Sequence, residues 1–301
     1  MATKPGAAAF TALTALELNG KAVGLARSLQ MPGYRVETVV VPAGPGNAAR
    51  LAANISISTM EASVDLGEPG PLLDWALSLP RGNAMATDGA ALVLDANRKP
   101  QRRVEWSAGL ITALKLPVLD ANSKQVFSLG LTWQPATVSY AKPGDAGSVV
   151  LPAAKRKPIV TANFRVSGLP FDARFITQVV LPTVTAKLVV EQTSQQRLPS
   201  RHYASVDLGE LRLVFNARSQ GDVLAWVQKV VANGRIADGD YLGIVVELLD
   251  ASLKTVLASI SLAGCGLLRY EEDLIGNSIE QVQQCTLSFA VGQLDLQLGK
   301  P

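Results

Sequence analysis

Leu94-Asp95-Ala96 returns as Leu249-Asp250-Ala251, and Asn122-Ser123 returns as Asn277-Ser278, both at an offset of 155 residues. A constant offset held through several segments is the mark of internal duplication, and it constrains the fold before any single element does. Whatever one half of the chain builds, the other half is expected to build again. The order of sequence patterns agrees. Each half opens on a strand and a tight turn, at residues 15–26 and 163–175. Asn19-Gly20 is a strong hairpin signal because both central residues tolerate positive φ, and Ser167-Gly168 is a weaker version of the same device. Valine-rich strands follow from Arg35 and Thr185, each leading into a polar loop, 42–54 and 193–205. Strictly alternating strands come next, at 54–64 and 209–218, and a period of two marks a sheet packed on one face and polar on the other.

Two tryptophan-centred segments then occupy matching places, PLLDWALSLPRGN at 71–83 and DVLAWVQKVVANG at 222–234. Leu72, Leu73, Trp75, Ala76 and Leu79 fall at helical spacing, and Val223, Leu224, Trp226, Val227 and Val230 repeat it. Asp222 is placed as an N-cap, and Gly82 and Gly234 as C-terminal stops. Trp75 and Trp226 are therefore expected to be structural, each pinning a short helix onto the open face of a sheet. A hairpin and a longer meander close each half. The join at 141–158 is rich in Pro, Gly, Ala and Lys without periodicity, as an exposed connector is. The expected organisation is a first domain at 1–145, a linker at 146–158 and a second domain at 159–301.

Chemistry is sparse. The chain has one histidine, His202, in a polar loop, and two cysteines, Cys265 and Cys285. No nucleophile elbow, zincin, phosphate-loop or dinucleotide-binding pattern occurs, and one His with two Cys cannot supply the usual four zinc ligands. No catalytic, cofactor-binding or metal residue is nominated. The cysteines flank a turn near Gly276 and could face each other across a hairpin; the plainer reading is two reduced, buried thiols. The two LDAN stretches, from Leu94 and Leu119, lack the further oxygens of a calcium loop and read as Asx turns. RKPQRR at 98–103 and KRK at 155–157 are basic, but with no interleaved aromatics they read as a solvated hairpin tip and linker. A net charge of +3 is too small to argue for nucleic acid. No apolar run reaches the ~20 residues of a membrane helix. The N-terminal stretch runs straight into a strand-like pattern, so no signal peptide is expected. Aromatics make up only 5% of a chain that is 48% hydrophobic, so Val, Leu, Ile and Ala must fill the cores.

A unit built of a hairpin, long strands, one Trp-bearing helix, a second hairpin and a final meander resembles the tail tube proteins of contractile phages. Their relatives include the tube proteins of extracellular contractile injection systems and the hemolysin-coregulated protein of type VI secretion. The stretches that carry the resemblance are LLDWALSLP, ALVLDANRKP and LPVLDANSKQV in the first half, and VLAWVQKVV, VELLDASLKTV and EDLIGNSIEQV in the second. The resemblance spans nearly the whole chain, as two copies. It implies a mainly β protein with one short helix per unit, two tandem tail-tube-like β-barrel or sandwich domains, and a structural role rather than an enzymatic one. It also implies self-association into rings beside tube, sheath or baseplate and spike proteins, with DNA or protein cargo in the lumen. No cofactor and no membrane partner is implied, and the location would be a virion tail or injection particle assembled in the bacterial cytoplasm.

This chain departs from the family pattern in carrying two units where one is usual. Three chains would then make a ring of six positions, as a baseplate hub between a threefold spike and a sixfold tube does; a hexamer, or a tube of stacked rings, stays open at this point. The polar positions of the alternating strands, Ser56, Ser58, Glu61, Glu210, Arg212 and Asn216, are the candidates for the lumen face. The two polar loops are candidates for reaching the next ring. The competing reading is a two-domain β binding module, an adhesin or carbohydrate-binding protein, which the scarcity of aromatics disfavours.

Overall fold

The computed structural model describes residues 13–44, 47–66, 70–141, 149–151, 158–191, 199–216, 218, 220–232, 238–272 and 283–299. The first half contains β1 (Leu13–Leu18), β2 (Lys21–Gln30), β3 (Tyr34–Pro42), β4 (Ala48–Ile57), β5 (Met60–Asp65), α1 (Pro71–Ser78), β6 (Thr87–Leu94), β7 (Pro100–Lys115), β8 (Leu119–Asp120), β9 (Ser128–Gln134) and β10 (Thr137–Ala141). The second contains β11 (Phe164–Ser167), β12 (Ile176–Val180), β13 (Val184–Glu191), β14 (Ser200–Leu208), β15 (Leu211–Asn216), α2 (Gln220–Val231), β16 (Leu242–Leu249), β17 (Val256–Glu272), β18 (Gln284–Ala290) and β19 (Gln293–Leu298). The chain is mainly β, as two barrel-like units with one α-helix each.

In the first unit the antiparallel pairings run β6-β1-β2-β5-β9-β7 and return from β7 to β6, which closes a barrel. Closure starts at Asn19-Gly20, where φ values of 48° and 75° build the tight turn that the dipeptide calls for. It ends on β7, a 16-residue strand long enough to serve two partners. Its first half pairs with β6 and β10 and its second with β9. Ala108 at φ 45° and a register slip between Ile111 and Ala113 mark where it bends. Leu16, Met60, Val64, Leu131 and Ile111 point inward and are buried.

The second unit repeats the strand order with one difference: β11 and β12 do not pair, so the circuit β11-β16-β17-β18-β15-β12 stays open at that seam. Ser167-Gly168, expected as a hairpin turn, is not one. Gly168 does adopt φ +87°, but its α-carbon is packed so that a Cβ would lie 2.0 Å from the Gly243 carbonyl oxygen. The chain leaves β11 here and turns through a short 3-10 helix, Ala173–Phe175, capped by the Asp172 carboxylate on the Arg174 N–H. The edge of β12 left open is occupied by β8 of the first unit, with Gln178 opposite Asp120 and Val179 opposite Leu119.

Each unit also extends a long hairpin beyond its barrel. In the first unit β2–β5 is the base and β3–β4 the tip, a separate two-stranded sheet. In the second β12–β15 is the base and β13–β14 the tip, and this tip joins β7 of the first unit. One continuous hydrophobic core therefore runs through both units.

The helices cover the barrel ends. Trp75 is buried and sits edge-on to Trp133 at 5.8 Å, while Trp106 meets Trp133 at 5.2 Å. Trp75 Nε1 donates to the Met85 carbonyl and Trp106 Nε1 to that of Thr87. The second unit fills the same place with Phe171, Phe215, Phe289 and a half-buried Trp226, at ring separations of 5.4 to 6.2 Å. Such tilted aromatic pairs add to simple area burial. Gly82, at φ +72°, ends α1, and the Asn83 N–H closes on the Ser78 carbonyl. Asp222 is not the N-cap of α2: the helix begins at Gln220, which puts Asp222 in its first turn. Gly234 lies outside the described residues.

Other expectations divide. The Asx turns form, with Asp95 Oδ1 accepting from the Asn97 and Lys99 N–H groups and Asp120 Oδ1 from that of Asn122. The cysteines are buried thiols and do not face each other: Cys265 pairs with Leu242, and Cys285 lies between Phe215 and Glu272. In the basic hairpin Arg103 is bound by Glu17 and Glu105 and Arg102 lies over the Tyr140 ring. KRK lies outside the described residues. Of the connector, Val149 and Leu151 pack on Ala15, Leu92 and Leu94 outside the first barrel. Among the described residues no helix is long and apolar enough to cross a membrane.

Trp75→Ala is expected to cost about 3–5 kcal/mol, because it empties a buried site. Trp226→Ala should cost less, because that ring is only partly buried; urea denaturation giving an equal or larger loss at Trp226 would contradict the packing described. Asp250 accepts from Ser252 and from the Lys254 and Thr255 N–H groups, which holds its carboxyl down from 3.8 to about 2. The depressed value means that its contribution is complete above about pH 4 and is lost as pH falls toward 2. Asp250→Asn should therefore flatten the stability–pH slope between pH 4 and 2 and leave it unchanged at neutral pH.

Candidate assembly interface

No feature of the described residues draws the eye to catalysis. His202 sits on β14 opposite Val189, exposed, with its Nε2 3.8 Å from the Glu191 carboxylate. No cluster of His, Cys, Asp and Glu is arranged to hold a metal among the described residues. An open depression of about 320 Å³ is lined by Ser28, Gln30, Glu61, Ser63, Lys115 and Thr132 on the outer wall of the first barrel.

The stronger construction is the seam between the two units. Strand β13 adds antiparallel to β7, with Val184 opposite Leu114 and Thr185 opposite Ala113. Beside it β8 completes β12. A third contact links the strand ends: the Phe127 N–H donates to the Ile159 carbonyl at 2.7 Å and the Thr161 N–H to that of Gln125 at 2.9 Å. Leu119, Phe127, Thr161, Val179 and Val184 have no solvent exposure at all. At the rim Arg81 meets the Asp295 carboxylate at 2.9 Å. Tyr203, on β14, lies against the Ile111 backbone, and burial pushes its phenol up to about 12. The seam is head-to-tail: the first unit presents β7 and β8, the second presents β12 and β13. Different patches meet, so the relation is heterologous, and repeating it generates a closed ring or an open filament.

Repetition needs the complementary edges, and each unit has kept one. In β17 a register slip between Leu267 and Arg269 repeats the slip of β7 between Ile111 and Ala113. The counterparts of Ala113 and Leu114 are therefore Arg269 and Tyr270. Beyond Cys265, the side of β17 away from β18 pairs with no strand among the described residues. In the first unit β3 pairs only with β4, and Tyr34 opposite Ile57 matches Val184 opposite Leu208. The β3–β4 tip exposes Val36, Val39, Val40, Leu51 and Ile55, each about half accessible. A two-stranded sheet with a row of half-exposed aliphatics and an open edge is an aggregation hazard on an isolated chain.

Of the candidate lumen residues, Glu61, Glu210, Arg212 and Asn216 fall on or beside β5 and β15, on the face away from the core, while Ser56 and Ser58 do not. Glu61 is exposed on β5 opposite Thr132, and Arg212 on β15 opposite Ser288. Glu210 pairs with Arg269 at 3.4 Å, and Arg269 also meets Glu271. Asn216 Oδ1 accepts from the Arg218 N–H. Ser56 and Ser58 bind the hairpin backbone, Ser56 at the Arg35 carbonyl and Ser58 at the Gly33 N–H. The structure brings Glu210 and Arg212 together on one wall and Glu61 onto the matching wall of the other unit, while the two serines serve the turn between. Lys115, Arg269 and Glu271 share these walls and were not singled out by strand alternation. Both β7 and β17 carry their bulge just before these residues, and a bulge has no sequence signature of its own.

No protein-family model and no curated protein matches the chain. Among solved structures it is similar to components of contractile injection particles. A chain of the anti-feeding prophage baseplate is 14% identical, with 46% of this chain and 98% of that one covered at a TM-score of 0.40. A chain of the tube-terminating cap of the same particle is 10% identical, with 49% and 96% covered at 0.41. A chain of an extracellular contractile injection system's sheath–tube complex is 10% identical, with 48% and 95% covered at 0.41.

Since one core runs through the seam, Leu119→Ala is expected to destabilise both units together. The expected loss is about 2–5 kcal/mol. Calorimetry should give one transition at lower temperature; a split in which only one unit melts early would count against a shared core.

Proposed function

We propose that this protein is a structural component of a phage tail or contractile injection machine, forming the inner tube or a tube-adjacent hub or adaptor ring that conducts DNA or effector cargo. The observation that carries this reading is the seam itself. One unit completes the sheet of the other with a strand from its extended hairpin, and each unit retains the complementary edge. A monomer has no use for a second, exposed hairpin of this kind, whereas a ring uses every one. The likeness of the sequence to tube proteins points the same way.

The units are residues 1–145 and 159–301, joined by 146–158, and three chains place six such units around one axis. The outward wall of β5, β7 and β9, with its counterpart β15, β17 and β18, then faces the lumen. Glu61 and Arg212 hold matching places there, as do Lys115 and Glu271, so neighbouring units present opposite charges at matching positions. Asn216 ends β15 and Glu210 directly precedes it, while Ser56 lies on β4 and Ser58 in the turn before β5. The β3–β4 and β13–β14 hairpins reach toward the next ring; of the stretches expected as polar loops, 48–54 belongs to β4 and 200–205 to β14. Neighbours in the particle would be tube, sheath, baseplate or spike proteins, and assembly would take place in the bacterial cytoplasm before the protein enters the tail or particle.

Light scattering on the purified chain should give three times the mass of one chain, and negative-stain images should show rings with a central hole. Compact monomers at high concentration would overturn the proposal, and six chains per single ring would overturn the threefold arrangement.

A further inference from the structure

We infer that the outer edge of β3 in one copy pairs antiparallel with the outer edge of β17 in a second copy, with Tyr34 opposite Tyr270, Arg35 opposite Arg269 and Val36 opposite Leu268. The inference rests on the ring-forming reading and specifies how its copies meet. Its first two pairs are transferred from the seam within the chain, and the third, Val36 with Leu268, extends the pairing by one residue onto the bulge of β17. Val184 stands opposite Leu114 there, and their counterparts by matched pairing and matched bulge are Tyr34 and Tyr270.

Three independent features fit this register. Leu268 is 53% exposed and Val36 is 52% exposed, two large aliphatics left in water that the pairing would bury against each other. Tyr34 is likewise 53% exposed. The charges then complement one another. Arg35 and Arg269 stand directly opposite, which alone is unfavourable, but each has a carboxylate on the diagonal: Glu271 for Arg35 and Glu37 for Arg269. Diagonal neighbours on a sheet face are within reach of long side chains.

Single variants Val36→Cys and Leu268→Cys, purified separately and mixed under mild oxidation, test the register. A cross-linked dimer on non-reducing gels only in the mixture is expected, because each seam brings one Val36 against one Leu268. The double variant should give a ladder that stops at three chains. Thr38→Cys mixed with Leu268→Cys is the out-of-register control and should cross-link at least tenfold less. Cross-linking of either single variant with itself, or equal yield from the control pair, overturns the register. If light scattering and micrographs show rings but the matched pair does not cross-link, this inference fails and the ring reading stands. If no rings form and nothing cross-links, both fail.

Discussion

The backbone hydrogen bonds between β13 and β7 tie the molecule into one object. Around the pair of Val184 and Leu114, both fully buried, the hairpin of the second unit becomes part of the wall of the first. Every strand edge invites pairing, and a strand satisfies its N–H and C=O groups only by finding a partner. Here the partner is supplied in cis by a duplicate of the same unit. That choice merges their cores and leaves the outer edge of β3 and the end of β17 without a strand partner among the described residues.

Divergence between the copies is concentrated where the seam required it. The first barrel closes through Asn19-Gly20, while the second remains open so that β8 can enter beside β12. Gly168 keeps the positive φ of a turn, but the chain after it swings through the Asp172-capped 3-10 helix rather than back along β11. Core filling changed too. Trp133, whose buried Nε1 has no hydrogen-bond partner among the described residues, is matched by Phe289, which has no N–H to satisfy. The same inward position is thus filled by two aromatic rings of different polarity, as expected where shape matters more than hydrogen bonding.

Much of this was legible in the sequence because it depends on near neighbours. The 155-residue repeat, the two tryptophan helices, the Asn19-Gly20 turn and the Asx turns at Asp95 and Asp120 all follow from local spacing and backbone preference; of the alternation expected over 54–64 and 209–218, 60–64 and 211–216 form β5 and β15, while 54–57 belongs to β4. Other local expectations gave way. Asp222 was displaced from the N-cap because α2 starts at Gln220. Ser167-Gly168 lost its hairpin to tertiary pairing, whereas the cysteines are the two buried thiols of the plainer reading. Two-residue β8 carries no periodicity at all, and only its position against β12 makes it a strand.

The sequence by itself therefore determined the unit, its class and its duplication, since hydrophobic periodicity and turn chemistry act over a few residues and recur wherever the motif recurs. What only the tertiary structure decided is which edges are satisfied within the chain and which are left for another. That choice turns on a bulge after Ile111, on an opened seam at β12 and on the reach of a hairpin across some 70 residues from Leu114 to Val184. Backbone hydrogen bonding is nearly blind to side-chain identity, so two edges of similar composition become a partnered one and an exposed one only when the whole chain is folded around them.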